Sequence, residues 1–439
     1  MRDILIVLLF SAGAVMALRQ PYIGILLWAW IGIMNPHRLT WGFAYSLPFA
    51  AAAAALTLIA MTYGKPRPRF PANVPTTFLL LFVVWIGITT IFAIHVEPST
   101  ELFIKAFKTF FMTLLALAII QERKHIDALI WVIVASLCYF GVKGGIFTIA
   151  TGGSYRVWGP PDSLIFGNNE LAIALVMTVP LLYYLSQQTE RIWFKRGLYL
   201  AMVLCSAAAI GSQSRGAFLA IIAMVGALSW KSKHRFRITV VLIALIPIFL
   251  TFMPDSWWER MNTIRTYQED DSAMGRIIAW KTAWNIACDR LTGAGFATST
   301  RFIYDLYSPD PSALVLVAHS IYFQVLGDHG FIGLFLYLML WWTTYRLAGR
   351  LKKLTKDRED LIWIRDLGRM IQVSFLGFFV GGAFLSLAYW DVPYYFLVII
   401  VALERLARQP PETVVPPVAA EEAPVPAHVN IPPQLSRRP

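Results

Sequence analysis

Stretches of roughly 15 to 25 apolar residues, each long enough to cross the hydrocarbon core of a bilayer, recur along most of this 439-residue chain. No other feature restricts the fold as strongly. In lipid every backbone N–H and C=O must find its partner inside the chain, which leaves helices or a closed barrel. Runs of this length, without period-2 alternation, read as helices. Spans are expected near residues 46–63, 77–94, 101–120, 126–149, 170–187, 197–211, 216–230, 237–253, 319–347, 367–389 and 392–406. Two further runs, Ile4–Leu18 and Tyr22–Met34, are each short for a crossing. Parity makes them one broken crossing, for about 12 in all with both ends in the cytoplasm. The first run lacks a cleavage site and leads straight into the second, so it is not read as a signal peptide.

Composition agrees: 57% of residues are hydrophobic and only 15% are charged, far from the soluble norm. The net charge of +12 sits in short clusters between spans. Examples are Arg191, Lys195 and Arg196; Lys231, Lys233, Arg235 and Arg237; and Arg346, Arg350, Lys352, Lys353, Lys356 and Arg358. Basic clusters on alternate loops mark the cytoplasmic side; they are topology and not a nucleic-acid footprint. Cys138 and Cys205 lie inside apolar runs and Cys288 stands alone, so no disulfide framework is expected.

The expected organisation is all-α and polytopic. Residues 1–253 form transmembrane helices with short loops. Residues 254–318 form a periplasmic loop of amphipathic helices, with Ile277, Trp280, Trp284 and Ala287 on one stripe. Residues 319–408 return to the membrane. Residues 409–439, rich in proline, form a disordered cytoplasmic tail.

Ionisable groups at membrane depth are costly and mark function by default. On the outer side, where topology does not call for cations, stand Arg215 in the polar break SQSRGAF, Lys105 and Lys108, Lys143 and Arg156. Arg265 and Arg276 come from the long loop, and His319 lies at its membrane return. Converging cations fit a phosphate or pyrophosphate, which guanidinium groups grip bidentately. The turn around Arg215 also leaves backbone N–H groups to an anion. Each residue has a plainer reading. Arg215 could close a turn, Lys105 and Lys108 could snorkel, Arg265 and Arg276 could touch lipid phosphate, and His319 could be interfacial. His329, followed by Gly330, reads as a packed turn. A neutral imidazole beside arginines can take a hydroxyl proton while they stabilise a departing phosphate. That is glycosyl transfer from a lipid-linked pyrophosphate sugar. Asp270, Asp271 and Asp310 lack metal-ligand spacing, so no metal and no cofactor are expected.

SQSRGAF, GRIIAWKTAWNIACDRLTGAGFATST and HSIYFQVLGDHGFIGL, in this order, resemble successive blocks of the O-antigen ligase and polymerase superfamily, across about residues 154–340. The N-terminal MRDILIVLLF and NPHRLTWGFAYSLPFA are also similar to exosortase-associated O-glycosylation ligases. The resemblance implies a metal-independent, inverting glycosyltransferase of the GT-C type in the bacterial inner membrane. It would move a glycan from undecaprenyl diphosphate to the lipid A–core oligosaccharide on the periplasmic face. By position His319 matches the essential histidine, Arg215 and Arg276 the arginines at the donor diphosphate, and Arg265 and Arg156 less closely. Asp391 occupies the region of a late acidic residue. A ligase is favoured over a polymerase joining lipid-linked repeats or a protein O-oligosaccharyltransferase. A flippase would show paired repeats or proton relays, and neither is seen.

Overall fold

A computed structural model describes residues 1–63, 68–231, 258 and 271–410. Among these residues the chain is helical throughout, with no strand. The α-helices are α1 (Arg2–Arg19), α2 (Pro21–Met34), α3 (Phe49–Tyr63), α4 (Val74–Ile91), α5 (Val96–Ile119), α6 (Arg123–Ala150), α7 (Asn168–Gln188), α8 (Ile192–Gly211) and α9 (Arg215–Lys231). After the undescribed stretch come α10 (Asp271–Asp289), α11 (Arg301–Tyr307), α12 (Ile321–Leu354), α13 (Ile362–Gly382) and α14 (Asp391–Ala407). The expected span at 237–253, the amphipathic segment around Arg265 and the tail from residue 411 onward lie outside the described residues.

Six described helices, α4 to α8 and α12, are long and apolar enough to cross a membrane; α2, α3 and the apolar part of α9 are shorter. Twelve crossings are therefore not established. The expected spans in the described residues still fall on helices with close boundaries, except that α12 runs on past 347 to Leu354 and that the span at 367–389 ends differently. There α13 stops at Gly382, and residues 383–390 form an irregular return. Its apolar letters (Leu385, Leu387, Ala388, Trp390) are buried against protein, and a run of apolar residues cannot distinguish protein from lipid as its surroundings.

The bundle has two distinct ends. At the basic end the Arg69 N–H donates to Ala118 O (3.1 Å), Tyr22 stacks on His125, and the Arg123 guanidinium lies 4.5 Å from the Trp363 ring centroid. At the opposite end Asn35 Nδ2 donates to Pro161 O and Asn168 Nδ2 to Ser212 O, both at 2.8 Å. The first two apolar runs are corrected by this arrangement. They form two antiparallel helices, not one broken crossing, because Gln20 is extended and Pro21 opens α2 at its first turn. The Ala44 N–H donates to Asp3 Oδ1, and the Arg2 guanidinium sits over Trp41. The start of α1 thus shares the Asn35 end, whereas α14 finishes at the basic end beside Arg69, so residues 1 and 407 lie at opposite ends. Parity failed because it required each helix to match the bilayer alone. The 14-residue α2 is encased, with Ile25, Ala29 and Ile33 fully buried.

Helices α6 and α8 approach closely through small residues. A Cβ on Gly145 would collide with the Leu204 carbonyl, and one on Gly141 with Cys205 Sγ. Such backbone approach supplies van der Waals contact where lipid removes the hydrophobic drive. Cys138 and Cys205 are free thiols 3.8 Å apart in this interface. Gly145→Ala is expected to destabilise the protein by about 1–3 kcal/mol, the usual penalty of overpacking. Thermal melting in detergent checks this, and an unchanged midpoint would mean the interface is looser than drawn.

Candidate functional site

The site region is assembled at the Asn35 end from four separate segments. Helix α8 ends at Gly211; Gln213 takes a left-handed conformation (φ 57°), and Ser214 Oγ accepts from the Ala217 N–H to start α9. This tight reversal makes Arg215 the first residue of α9. Within the turn the Ser212 and Gln213 amides donate to Ala208 O and Ile210 O. Those two amides are therefore not among the N–H groups left to an anion.

Arg276 lies near the start of α10. The buried stripe of that helix is Ala279, Ala283, Ile286 and Ala287, offset from the expected one, with Trp284 exposed and edge-on to Phe331. Trp280 stacks on Phe323 at 5.0 Å, and its Nε1–H donates to Ala318 O at 2.7 Å. Through this bond α10 fixes the backbone immediately before His319. His319 itself has φ 43°, a left-handed conformation uncommon outside glycine, and Ser320 caps α12 behind it.

Arg215 and Arg276 line one cleft with Asn169, Ser214, Phe384 and Leu385; its volume is about 10 Å³, room for a single water. His319 is half-buried, and its pKa is lowered below 6.5 by burial first and then by the Arg276 charge. Glu170, opening α7, also lies within electrostatic reach of Arg276. Asn169, Glu170 and the 384–385 segment were missed from sequence. The polar start Asn168–Asn169–Glu170 of an apolar helix was the available signal.

The other sequence candidates fall elsewhere. Lys105, Lys108, Lys143 and Arg156 are exposed and do not line this cleft. Asp391 accepts a hydrogen bond from Thr109 Oγ1 (3.2 Å) and lines a separate cavity of about 250 Å³ with Asn35 and His37. Arg265 is outside the described residues.

Further along, α12 is broken. Gly330 is non-helical (φ 68°, ψ −171°), so nearby carbonyls lose their helical donors. Those of Gly327 and Asp328 instead accept from the Ala294 and Gly295 amides, at 3.0 and 2.9 Å. Gly293 and Gly295, both at positive φ, are needed because a Cβ on either would strike neighbouring atoms. At the same level Tyr389 OH donates to Asp328 Oδ2 and lies 2.9 Å from His329 Nε2, while Thr89 Oγ1 is 2.7 Å from His329 Nδ1. His329 is thus a fully buried packing residue at the break, as its adjacent glycine led us to expect. Among the described residues no three His, Cys, Asp or Glu side chains gather as a metal set.

Comparison with known families matches residues 1–190 to a family of unknown function, DUF5935. Residues 200–338 match the O-antigen ligase family. No curated protein matches the chain. The second match contains Arg215 and Arg276 of the cleft, the Gly293–Gly295 turn and His319. Over residues 200–338, then, this all-helical chain is similar to the O-antigen ligase family.

Proposed function

We propose that the protein is a ligase transferring a glycan from undecaprenyl diphosphate to the lipid A–core oligosaccharide, at the periplasmic face of the bacterial inner membrane. The observation that carries this reading is that Arg215 and Arg276, 61 positions apart in the chain, line one cleft while Arg276 also acts on His319. The lowered pKa leaves His319 neutral near pH 7, the form able to accept a proton. In the transfer, the acceptor hydroxyl gives its proton to His319 as its oxygen attacks the anomeric carbon. The bond from that carbon to the diphosphate oxygen breaks, and the electron pair leaves on undecaprenyl diphosphate. Arg215 and Arg276 stabilise that charge in a site sheltered by Phe384 and Leu385. The cleft as it stands is too small for a diphosphate, so the ligand engages the guanidinium ends at its mouth. Attack opposite the leaving group inverts the anomeric centre, in keeping with a GT-C-type enzyme. Arg156 and Lys105 would then serve only as outlying attraction for the anionic donor, and Asp391 would act apart from the diphosphate.

The acceptor is tested by incubating purified protein with an undecaprenyl-diphosphate glycan and, separately, lipid A–core, a second lipid-linked repeat or a Ser/Thr peptide, then weighing the products. A glycosylated lipid A–core supports the ligase. Product only on the lipid-linked repeat or peptide replaces it with a polymerase or a protein O-oligosaccharyltransferase, and transport with no covalent product with a flippase. Because arginines take the cation's role at the diphosphate, EDTA is expected to leave turnover unchanged. Inhibition reversed by magnesium or manganese would overturn the metal-independent step.

A further inference from the structure

At the basic end of the bundle, remote from the transfer site, lies a cavity of about 880 Å³. Five arginines line it: Arg69 from the connection into α4, Arg346 and Arg350 from the last third of α12, and Arg405 and Arg408 from the end of α14. Among the described residues the only carboxylate on the wall is Glu404, which already accepts from Arg408 Nε and Nη2 at 3.0 and 2.8 Å. Among the described residues, Arg69, Arg346, Arg350 and Arg405 have no salt-bridge partner. Positive charge that only sets topology has no reason to converge, since loop charges act equally well dispersed in water. Here three segments distant in sequence bring like charges around one space, an arrangement an anion would stabilise. The rest of the wall is mostly apolar, with Phe70, Val74, Trp342, Leu347 and Val401 beside the polar Asn73 and Thr343. Trp342 is also covered by the Arg346 guanidinium at 5.5 Å, and an exposed tryptophan suits the headgroup level of a bilayer.

We propose that this cavity binds the phosphate headgroup of an anionic phospholipid, with the five arginines on the phosphates and the aromatic and aliphatic wall against the upper acyl chain. A free phosphate shares the ionic chemistry but leaves the apolar wall unused, and this favours the lipid. The site is independent of the glycosyl-transfer site: beyond the break at Gly330, α12 alone separates Phe331 from Arg346 by 15 residues, roughly 22 Å of helix at 1.5 Å per residue.

The test uses the full-length protein in phosphatidylcholine nanodiscs with increasing cardiolipin, reading melting temperature, and native mass spectrometry of the detergent-solubilised protein to count bound lipid. The wild type is expected to gain about 3–5 °C with saturation at a small whole number of lipids. The Arg346→Gln/Arg350→Gln double variant is expected to lose most of that gain. Arg123→Gln, a charge at the same end but outside the cavity, should retain it. Soluble inorganic phosphate should give no rise that depends on Arg346 and Arg350. The proposal fails if the double variant gains as much as wild type, if cardiolipin binding to the wild type never saturates, or if phosphate alone raises the wild type as cardiolipin does but not the double variant. The wild-type arms decide the matter even if the double variant does not fold.

Discussion

His319→Ala is expected to lower glycosyl transfer by about a hundred- to ten-thousand-fold, the usual loss when a positioned general base is removed. Membrane insertion and melting temperature should change little. The ring is only half-buried, and the backbone before it is held by Trp280 through Ala318 O. Because residue 319 sits at φ 43°, His319→Asn is the better structural control: asparagine tolerates left-handed backbone but offers no base. Both variants should be inactive and folded. The wild-type pH profile adds an independent check. The active form is the neutral ring, and burial with Arg276 lowers its pKa below 6.5. The rate should therefore hold through neutral pH and fall only as pH drops through that lowered value. Near-normal turnover in either variant, or an acidic limb above pH 6.5, would sink the assignment of His319 as the base.

The second large effect concerns the arginines. Arg215→Lys and Arg276→Lys keep the charge but remove the planar fork that grips two phosphate oxygens at once. Losing one charge-assisted hydrogen bond of roughly 1.5–3 kcal/mol corresponds to about ten- to a hundredfold in activity. The loss should appear in affinity for an undecaprenyl-diphosphate glycan measured without acceptor, whereas His319→Ala should bind that donor nearly as wild type does. Arg276→Lys should also leave the acidic limb of the pH profile in place, since the charge beside His319 persists. If both lysine variants bind donor and turn over normally while His319→Ala loses donor affinity, the roles of base and diphosphate clamp are reversed and the proposed site fails.

What the sequence by itself determined was helical, membrane-length structure and several candidate residues, Arg215, Arg276 and His319 among them. An apolar run of bilayer length must satisfy its backbone internally, and that constraint acts segment by segment. It therefore located α4 to α9 to within about five residues, and the start of α12 to within two. Gly330 after His329 likewise announced a local break, because a left-handed glycine acts within one turn. Arg215, Arg276 and His319 stood out because cations and an imidazole at the edge of apolar segments are energetically conspicuous wherever they occur. Lys105 and Arg156 were conspicuous for the same reason, and nothing in one dimension separated them from the rest. Only the tertiary structure decided that Arg215 and Arg276 share a cleft while Lys105 and Arg156 stand exposed. It also decided that α1 begins at the site end, and that five scattered arginines surround one cavity at the other. Those outcomes depend on which helices pack together and in what rotation. Contacts such as Gly145 on the Leu204 carbonyl or the Gly293–Gly295 turn on the broken α12 settle them. Each such contact is a matter of shape between segments that hydropathy scores identically.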